Sequence, residues 1–483
     1  MALLTNRLKE NAALIRQTFH NPNTIRSLNV MIGVDIDAEL LYLPNTVDEQ
    51  KIHLFLLEPI QQFVKESISY NQLGTLFKDG EPNEATTVEE CVDGLLNGKA
   101  ILLFNKDQAY LFNCSNWNVR SVEVPLSSSV YEGPASGLTE DISVNLNLLR
   151  NYYRSPNLVV DTLTIGSEAK KEISVLSVHN VSDPQLVEEV KKRLRDIKVS
   201  QAIINQLATD ALEGKGMLFP RTMSIDRPDA CAMALAAGRV IILVEGSPLA
   251  LLAPSVFYHF FQNQDDYLSD FGKYGARPLR YFYFLTATFI PAIAVAIERF
   301  HLQDIPANLR EQLAKTQDTL APFPIELLFV ILLMQLIMDG SYRLPGNAIF
   351  AVTFIGAMLI SDVATEVNLF HPVTIVIIGI CYITSFPVLH RGLLSPIFFI
   401  RISLVFLAHF LGFTGLFLGT TVLLLLTVQL HSVGVPYLYP LFPFQPDKWK
   451  DILFRPSLKE VINKPNPLPF NINQAKQDRK QNI

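Results

Sequence analysis

The sequence predicts an α/β (or α+β) N-terminal domain in two subdomains, followed by a polytopic α-helical membrane domain and a short basic tail. Three observations carry this. From Leu279 onward, apolar stretches long enough to cross a bilayer follow one another, ending in the 39-residue run 393–431. A hydrocarbon core about 30 Å thick needs roughly 20 apolar residues in a helix. The first 240 residues instead alternate short apolar runs with amphipathic helical patches, the pattern of a water-facing fold. Charge divides along the same lines: Lys+Arg against Asp+Glu is 23 to 30 over 1–240, 9 to 12 over 241–431 and 8 to 4 over 432–483.

In chain order, Pro59 suits the first turn of a helix over 60–68, behind a strand-like stretch 52–57. Two apolar runs, 100–104 and 109–114, flank the polar turn Asn105-Lys106-Asp107-Gln108, which reads as a β-hairpin. Residues 173–178 form another strand and lead into Asp183-Pro184, an N-cap followed by a first-turn proline. Leu186, Val187, Val190, Leu194 and Ile197 then repeat at helical spacing, with acids early and bases late, as the helix dipole favours. A second helix starts after Ser200 and ends near Gly214. Strand and helix alternate without long periodic repeats, which argues for two subdomains. The run 239–261 is broken by Glu245-Gly246-Ser247-Pro248 and Pro254, so a strand followed by an interfacial or partly inserted segment is favoured over a crossing.

Cleaner spans are 279–297, 323–338, 348–366 and 372–389, followed by the long run, which should bend near Gly412-Phe413-Thr414-Gly415. Lys273, Arg277 and Arg280 precede the first span and put its start in the cytoplasm. The basic tail belongs on the same side, beside an anionic leaflet. The expected domains are 1–138, 139–238, a linker or interfacial segment 239–278, a membrane domain 279–431 of four to six spans, and the tail 432–483.

The acidic N-terminal domain argues against a nucleic-acid surface. Cys91, Cys114, Cys231 and Cys381 show no metal-ligand spacing and read as reduced thiols, which suits a cytosolic domain. The first twenty residues lack the apolar core of a cleavable signal. No GxxxxGK[ST], HExxH or GxSxG phrase is present, nor a GxGxxG after a strand, so an enzyme reading has no support and no cofactor is implied.

Eight short phrases stand in a recognisable order. They are Glu132-Gly133-Pro134 with Asn145 and Leu148-Leu149-Arg150; Phe219-Pro220; Arg227-Pro228-Asp229; Gly238-Arg239-Val240; Glu245-Gly246-Ser247-Pro248; Arg343-Leu344-Pro345; and Gly434-Val435-Pro436-Tyr437. In this order and spacing the chain resembles the A subunit of spore germinant receptors, the GerA-type family, over about residues 30–470. It departs from the family pattern at Ser224-Ile225-Asp226, where relatives read Thr-Glu before the arginine, and at Ser361-Asp362, where they often carry Gly-Gln. The resemblance implies a germinant receptor in the inner spore membrane, with a transporter-like B subunit that senses the nutrient and a C-subunit lipoprotein as partners. It also implies that the A subunit is a homo-oligomer, a pentameric ring forming a nutrient-gated cation channel, with the N-terminal domain and tail on the spore-core side. A secondary transporter and a scaffold without conductance are the alternatives.

Ionisable groups inside spans are costly and usually face protein or water. Asp362 and Glu366 are four apart, on one helix face with Met358 and Thr365 beside them. Repeated around a ring, such carboxylates select cations; the plainer reading pairs Asp362 within the bundle and leaves Glu366 at the head groups. Arg401 needs a partner, and Asp339 or Glu326 is expected to supply it as a structural ion pair. His409 reads as a hydrogen-bonded core histidine rather than a proton sensor. Pro291, Pro387 and Pro396 can kink their helices, in a gate or in a static bundle. Arg227, Asp229 and Glu245 are candidates for coupling the N-terminal domain to the membrane domain, against simple turn chemistry.

Overall fold

Alternating apolar strands and amphipathic helices in the N-terminal half assemble two five-stranded sheets. The computed structural model describes residues 2–21, 24–34, 36–62, 76–77, 80–116, 134, 136–166, 168, 170–197, 204–214, 218–263, 266, 275–314, 321–341, 370–385, 391–446, 450–454 and 468–470. The first unit runs α1 (Leu8–Thr18), β1 (Arg26–Ile32), β2 (Ile36–Tyr42), a helical stretch over 49–62, β3 (Asn83–Ala85), α2 (Val88–Leu96), β4 (Lys99–Phe104) and β5 (Ala109–Asn113). Its strands lie in the order β1-β2-β4-β5-β3. The second unit runs α3 (Ile142–Tyr152), β6 (Leu158–Ile165), β7 (Lys171–Val178), α4 (Pro184–Arg195), α5 (Ile204–Glu213), β8 (Met223–Ile225), α6 (Pro228–Ala236), β9 (Val240–Val244) and β10 (Ala250–Ala253), with strand order β6-β7-β9-β10-β8. All the ladders are antiparallel, so the class is α+β.

Strand for strand, the second unit repeats the first. Ahead of α1, the Asn11 side chain accepts from the Thr5 N–H at 2.8 Å and donates to the Thr5 carbonyl at 2.6 Å. Ahead of α3, Asn145 does the same to Thr139, at 2.8 and 2.7 Å and with the same six-residue spacing. Cys91 and Leu95 of α2 match Cys231 and Leu235 of α6, all fully buried. Gly98 and Gly238 follow those helices at φ +75° and +80°. A Cβ on either would stand 2.9 Å from a backbone carbonyl, Thr46 in one unit and Val181 in the other, so only glycine fits.

Each sheet is covered on both faces. In the first, Ile15, Cys91 and Leu95 pack on Leu41 and Leu103. Ile52, Leu56 and Ile60 pack on the other face against Leu40 and Leu102. The stretch 52–57, expected to be a strand, is therefore helical. Asp48 caps it by accepting from the Gln50 N–H at 2.9 Å, and its buried residues fall four apart. The turn His53–Leu57 widens to a π-helix just before Pro59, whose ring would strike the carbonyl four residues back in a regular α-helix. The hairpin at 105–108 and the Asp183-capped helix form as expected.

The second sheet extends beyond the boundary expected at 238. β9 and β10 are buried throughout and pair with each other and with β7 and β8. The apolarity of 240–253 thus serves a central strand pair rather than an interfacial segment, and Glu245-Gly246-Ser247-Pro248 makes its turn, with Gly246 at φ +80°.

The membrane part holds α7 (Arg277–Phe300), α8 (Ala307–Ala314), α9 (Phe323–Ser341), α10 (Pro372–Ser385) and α11 (Leu394–Gln429). Among the described residues α7, α9 and α11 are long and apolar enough to cross a membrane, and α10 is a shorter apolar helix. The expected span 348–366 and the phrase at 343–345 lie outside the described residues. A straight α11 of 36 residues would be about 54 Å long. Instead a Cβ on Gly392, just before it, would stand 3.4 Å from the Pro220 ring, while the His431 carbonyl, just after it, accepts a hydrogen bond from the neighbouring Arg221. The chain goes out and comes back. Gly412 makes the reversal at φ 59°, ψ −140°, and the arms 394–411 and 413–429 lie side by side: a Cβ on Gly419 would meet Leu404 and Leu407 at 2.8 Å. Each arm is about 26 Å long, close to one bilayer core. Beyond α11, β11 (His431–Ser432) and β12 (Val435–Pro436) form a short hairpin.

Candidate functional site

Within the bundle, the polar centre is built around one proline and one arginine. Pro291 in α7 has no N–H, so the Ala287 carbonyl one turn earlier has no donor within its helix. Arg401, 2% exposed, supplies one from α11: its Nε donates to Ala287 O at 2.8 Å. Its Nη2 donates to Ser385 Oγ at 3.3 Å, and its guanidinium lies 5.1 Å from the centre of the Tyr382 ring. Tyr382 in turn donates to Ile331 O of α9 at 3.0 Å. Four helices thus meet on one cation.

The expected ion pair does not form. Among the described residues neither Asp339 nor Glu326 is a salt-bridge partner of Arg401. Glu326, buried, accepts from the His371 N–H at 2.5 Å and so closes the start of α10, while Asp339 accepts from Gln335 Nε2 at 3.1 Å near the end of α9. Glu326 lies on the first turn of its helix, at the far end from the arginine's cavity. Asp339 and Arg401 do line one cavity together. His409 Nδ1 has no hydrogen-bond partner, so the expectation of a bonded core histidine is not met. Asp362, Glu366, Thr365 and Met358 lie outside the described residues.

At the end of the bundle facing the soluble units, α7 is clasped by Asp266, which is fully buried. Its two oxygens accept from Arg277 Nε and Arg280 Nη1, each at 2.7 Å, and Arg280 also donates to Phe261 O at 2.9 Å. Phe257 and Phe261 pack on Phe284, and Phe261 stacks on Tyr281 at 4.3 Å. The β11–β12 hairpin docks beside this. Arg221 Nη1 donates to His431 O at 3.0 Å, Ser432 Oγ donates to Arg221 O at 2.5 Å, and the Ser255 N–H donates to Ser432 Oγ at 2.9 Å. Arg239 fixes the segment that Ser432 docks on through Pro254 O at 2.9 Å and Ser255 Oγ at 2.5 Å; its burial lowers its pKa to about 10. One apolar core runs without a break from the second sheet into α7, α9, α10 and α11.

The coupling candidates belong to the second unit. Arg227 and Asp229 form a local pair, Nε to Oδ1 at 3.1 Å and Nη2 to Oδ2 at 2.7 Å, at the start of α6. Glu245 accepts from the Glu172 N–H at 2.9 Å at the end of the sheet. Between the two units, a cavity of about 10 Å³ is lined by Phe19, Thr24 and Thr46 on one side and by Arg150, Tyr153 and Ser155 on the other. Arg150 has a buried Nε without a partner, and burial lowers its pKa to about 10. The cavity's volume is about what one water needs.

A family model described as Bacillus/Clostridium GerA spore germination protein matches residues 13–467. The chain belongs to that family. Spore germination protein KA of Bacillus subtilis is 28% identical over 94% of this chain and 85% of its own length. Spore germination protein GerLA of Bacillus cereus is 28% identical over 94% of each, and spore germination protein A1 of Bacillus subtilis 26% identical over 96% and 95%. Among solved structures, the N-terminal domain of the A subunit of the Bacillus megaterium germinant receptor GerK3 aligns with 53% of this chain and 98% of its own, at 24% identity and a TM-score of 0.40.

Two of the phrases that carry the GerA resemblance meet in space. Phe219 and Tyr437 have ring centres 6.1 Å apart, and a Cβ on Gly392 would stand 3.4 Å from the Pro220 ring. In this GerA chain those contacts join the second unit to the membrane helices. Arg277 and Arg280 were legible only as charges flanking a span, and Asp266 was missed. Their spacing, two arginines one helical turn apart with an acid upstream, was the available signal.

Proposed function

We propose that this chain is the A-type subunit of a nutrient (germinant) receptor in the inner spore membrane. In this reading several copies, a pentameric ring, close around a cation pathway whose opening commits the spore to germinate. Family membership across both soluble units and the membrane helices is the observation that carries it. The unbroken core and the Asp266 clasp support control of the helices by the soluble units, because packed side chains and two ion pairs link the two parts. Its partners are a transporter-like B subunit that senses the nutrient and a C-subunit lipoprotein. The N-terminal domain and the basic tail face the spore core.

Asp362 and Glu366, with Met358 and Thr365 beside them in sequence, are the proposed cation-selecting positions. Asp339 and Arg401 belong to the bundle around the pathway, and Arg227, Asp229 and Glu245 brace the unit that controls it. The test is ion flux through vesicles holding the chain, alone and with its companion subunits. Asp362→Asn should reduce cation over anion selectivity. Unchanged selectivity removes this residue from the pathway, and counterflow of a substrate without conductance would favour a transporter.

A further inference from the structure

Arg401 lies in the membrane bundle with no ion-pair partner among the described residues, yet beside it is a cavity of about 140 Å³. Gln335, Asp339, Tyr382, Ser385 and Ser395 share that cavity with the guanidinium. A buried cation is expensive to maintain without a counter-charge, and two neutral acceptors and a ring face do not supply one. Asp339, exposed and already held by Gln335, belongs to the same cavity without reaching the arginine. The site therefore presents one cation in depth and one anion at an exposed wall, each answering a charge of opposite sign.

Depth identifies what is available to answer them. The lining comes from the last turns of α9 and α10 and the first turns of α11. This is the end at which Gly392 packs on Pro220, hence the side of the bilayer carrying the soluble units. Arg401 lies seven residues into α11, about 10 Å from its start, where a long arginine side chain reaches head-group phosphates. At about 10–15 Å³ for each water it could hold, the cavity of about 140 Å³ has room for a head group but not for acyl chains. A purely anionic head group would be repelled by Asp339.

We propose that this cavity seats a phospholipid head group carrying a phosphate and an ammonium, the phosphate on Arg401 and the ammonium on Asp339. Ser395 adds a hydrogen bond to the phosphate, Ser385 holds the guanidinium while donating to Cys381 O at 2.7 Å, and the lipid ties α7, α9, α10 and α11 at one leaflet. The site stands whether or not the chain conducts ions.

The test uses the full chain, reconstituted in vesicles of equal parts phosphatidylethanolamine and phosphatidylglycerol and then released in mild detergent for native mass spectrometry of retained lipid. Phosphatidylethanolamine should be retained in preference. Arg401→Gln should lower retention by about tenfold or more, since it removes charge-assisted hydrogen bonds. Asp339→Asn should keep retention and shift the preference to phosphatidylglycerol. Ser395→Ala should weaken retention a few-fold, and because Ser395 and Asp339 are both exposed these two variants stay decisive if Arg401→Gln does not fold. Equal retention in all four proteins overturns the proposal. So does displacement of the lipid by millimolar soluble phosphoethanolamine, which would assign the same chemistry to a water-borne ligand, or a cavity filled only by a second copy of the chain.

Discussion

At the scale of residues, the fold is fixed by buried polar groups that answer one another. Asn11 and Asn145 are 0% and 1% exposed, and each closes both backbone groups of a threonine six residues earlier. Replacing either with alanine leaves a buried N–H and carbonyl unpaired and should cost about 1–3 kcal/mol at each site, measured by thermal unfolding of the detergent-solubilised chain. Glu90 closes a capping box with Thr87, and hydrogen bonds from the Thr86 and then the Thr87 backbone hold its pKa below the usual carboxylate value. Because the folded-state value is the lower one, its stabilisation is present above the unfolded pKa and is lost as pH falls through the folded one. Glu90→Gln should therefore flatten the acid limb of the stability-versus-pH curve and leave the shape above it unchanged. Burial pushes Cys91 to about 12 and Cys114 to about 11, so both thiols should resist alkylation near neutral pH until the chain is unfolded. Much at this scale was hidden in the sequence. Arg401 could be seen to need a partner, but its link to Ala287, 114 residues away, required knowing that Pro291 freed that carbonyl and that the two helices touch.

At the scale of elements, periodicity and caps were readable where one face was apolar and the ends were marked. The Asp183-Pro184 helix and the 105–108 hairpin are of this kind. Two readings failed for one reason: a short apolar run does not report its own partner. Residues 52–57 are helical because Asp48 caps them and Pro59 widens the turn before it. Residues 240–244 form the expected strand, but 250–253 form a second one, apolar because helices cover both faces of the sheet and not because lipid does. Gly412 was legible as a bend in a run too long for one crossing. The structure adds the reason for glycine: its backbone lies where side chains are rarely tolerated, and a Cβ would stand 2.9 Å from the Phe300 ring. Gly412→Ala should cost at least about 1–3 kcal/mol through backbone strain alone, and it should open the two arms. Cysteines placed at 404 and 419 would report this, cross-linking readily in the parent chain and poorly in the variant.

At the scale of the molecule, the N-terminal half is one α+β unit used twice, and the second copy is the one joined to the membrane. The repeat was invisible as sequence because it survives in topology and in a handful of residues, among them Asn11 and Asn145, Cys91 and Cys231, and Gly98 and Gly238. The junction is a charge clasp inside an apolar core. Asp266→Asn would leave Arg277 and Arg280 buried without their carboxylate and should destabilise the chain by about 3–5 kcal/mol. In a flux assay the same variant should uncouple the soluble units from the helices while subunit assembly persists.

The most direct test is cation flux from vesicles containing the purified chain together with its two companion subunits, with the oligomeric state measured on the same sample. A ring of several copies passing cations on addition of nutrient, with selectivity lowered by Asp362→Asn, is the expected result. A strictly monomeric chain that passes no ions with its companions present would contradict the account.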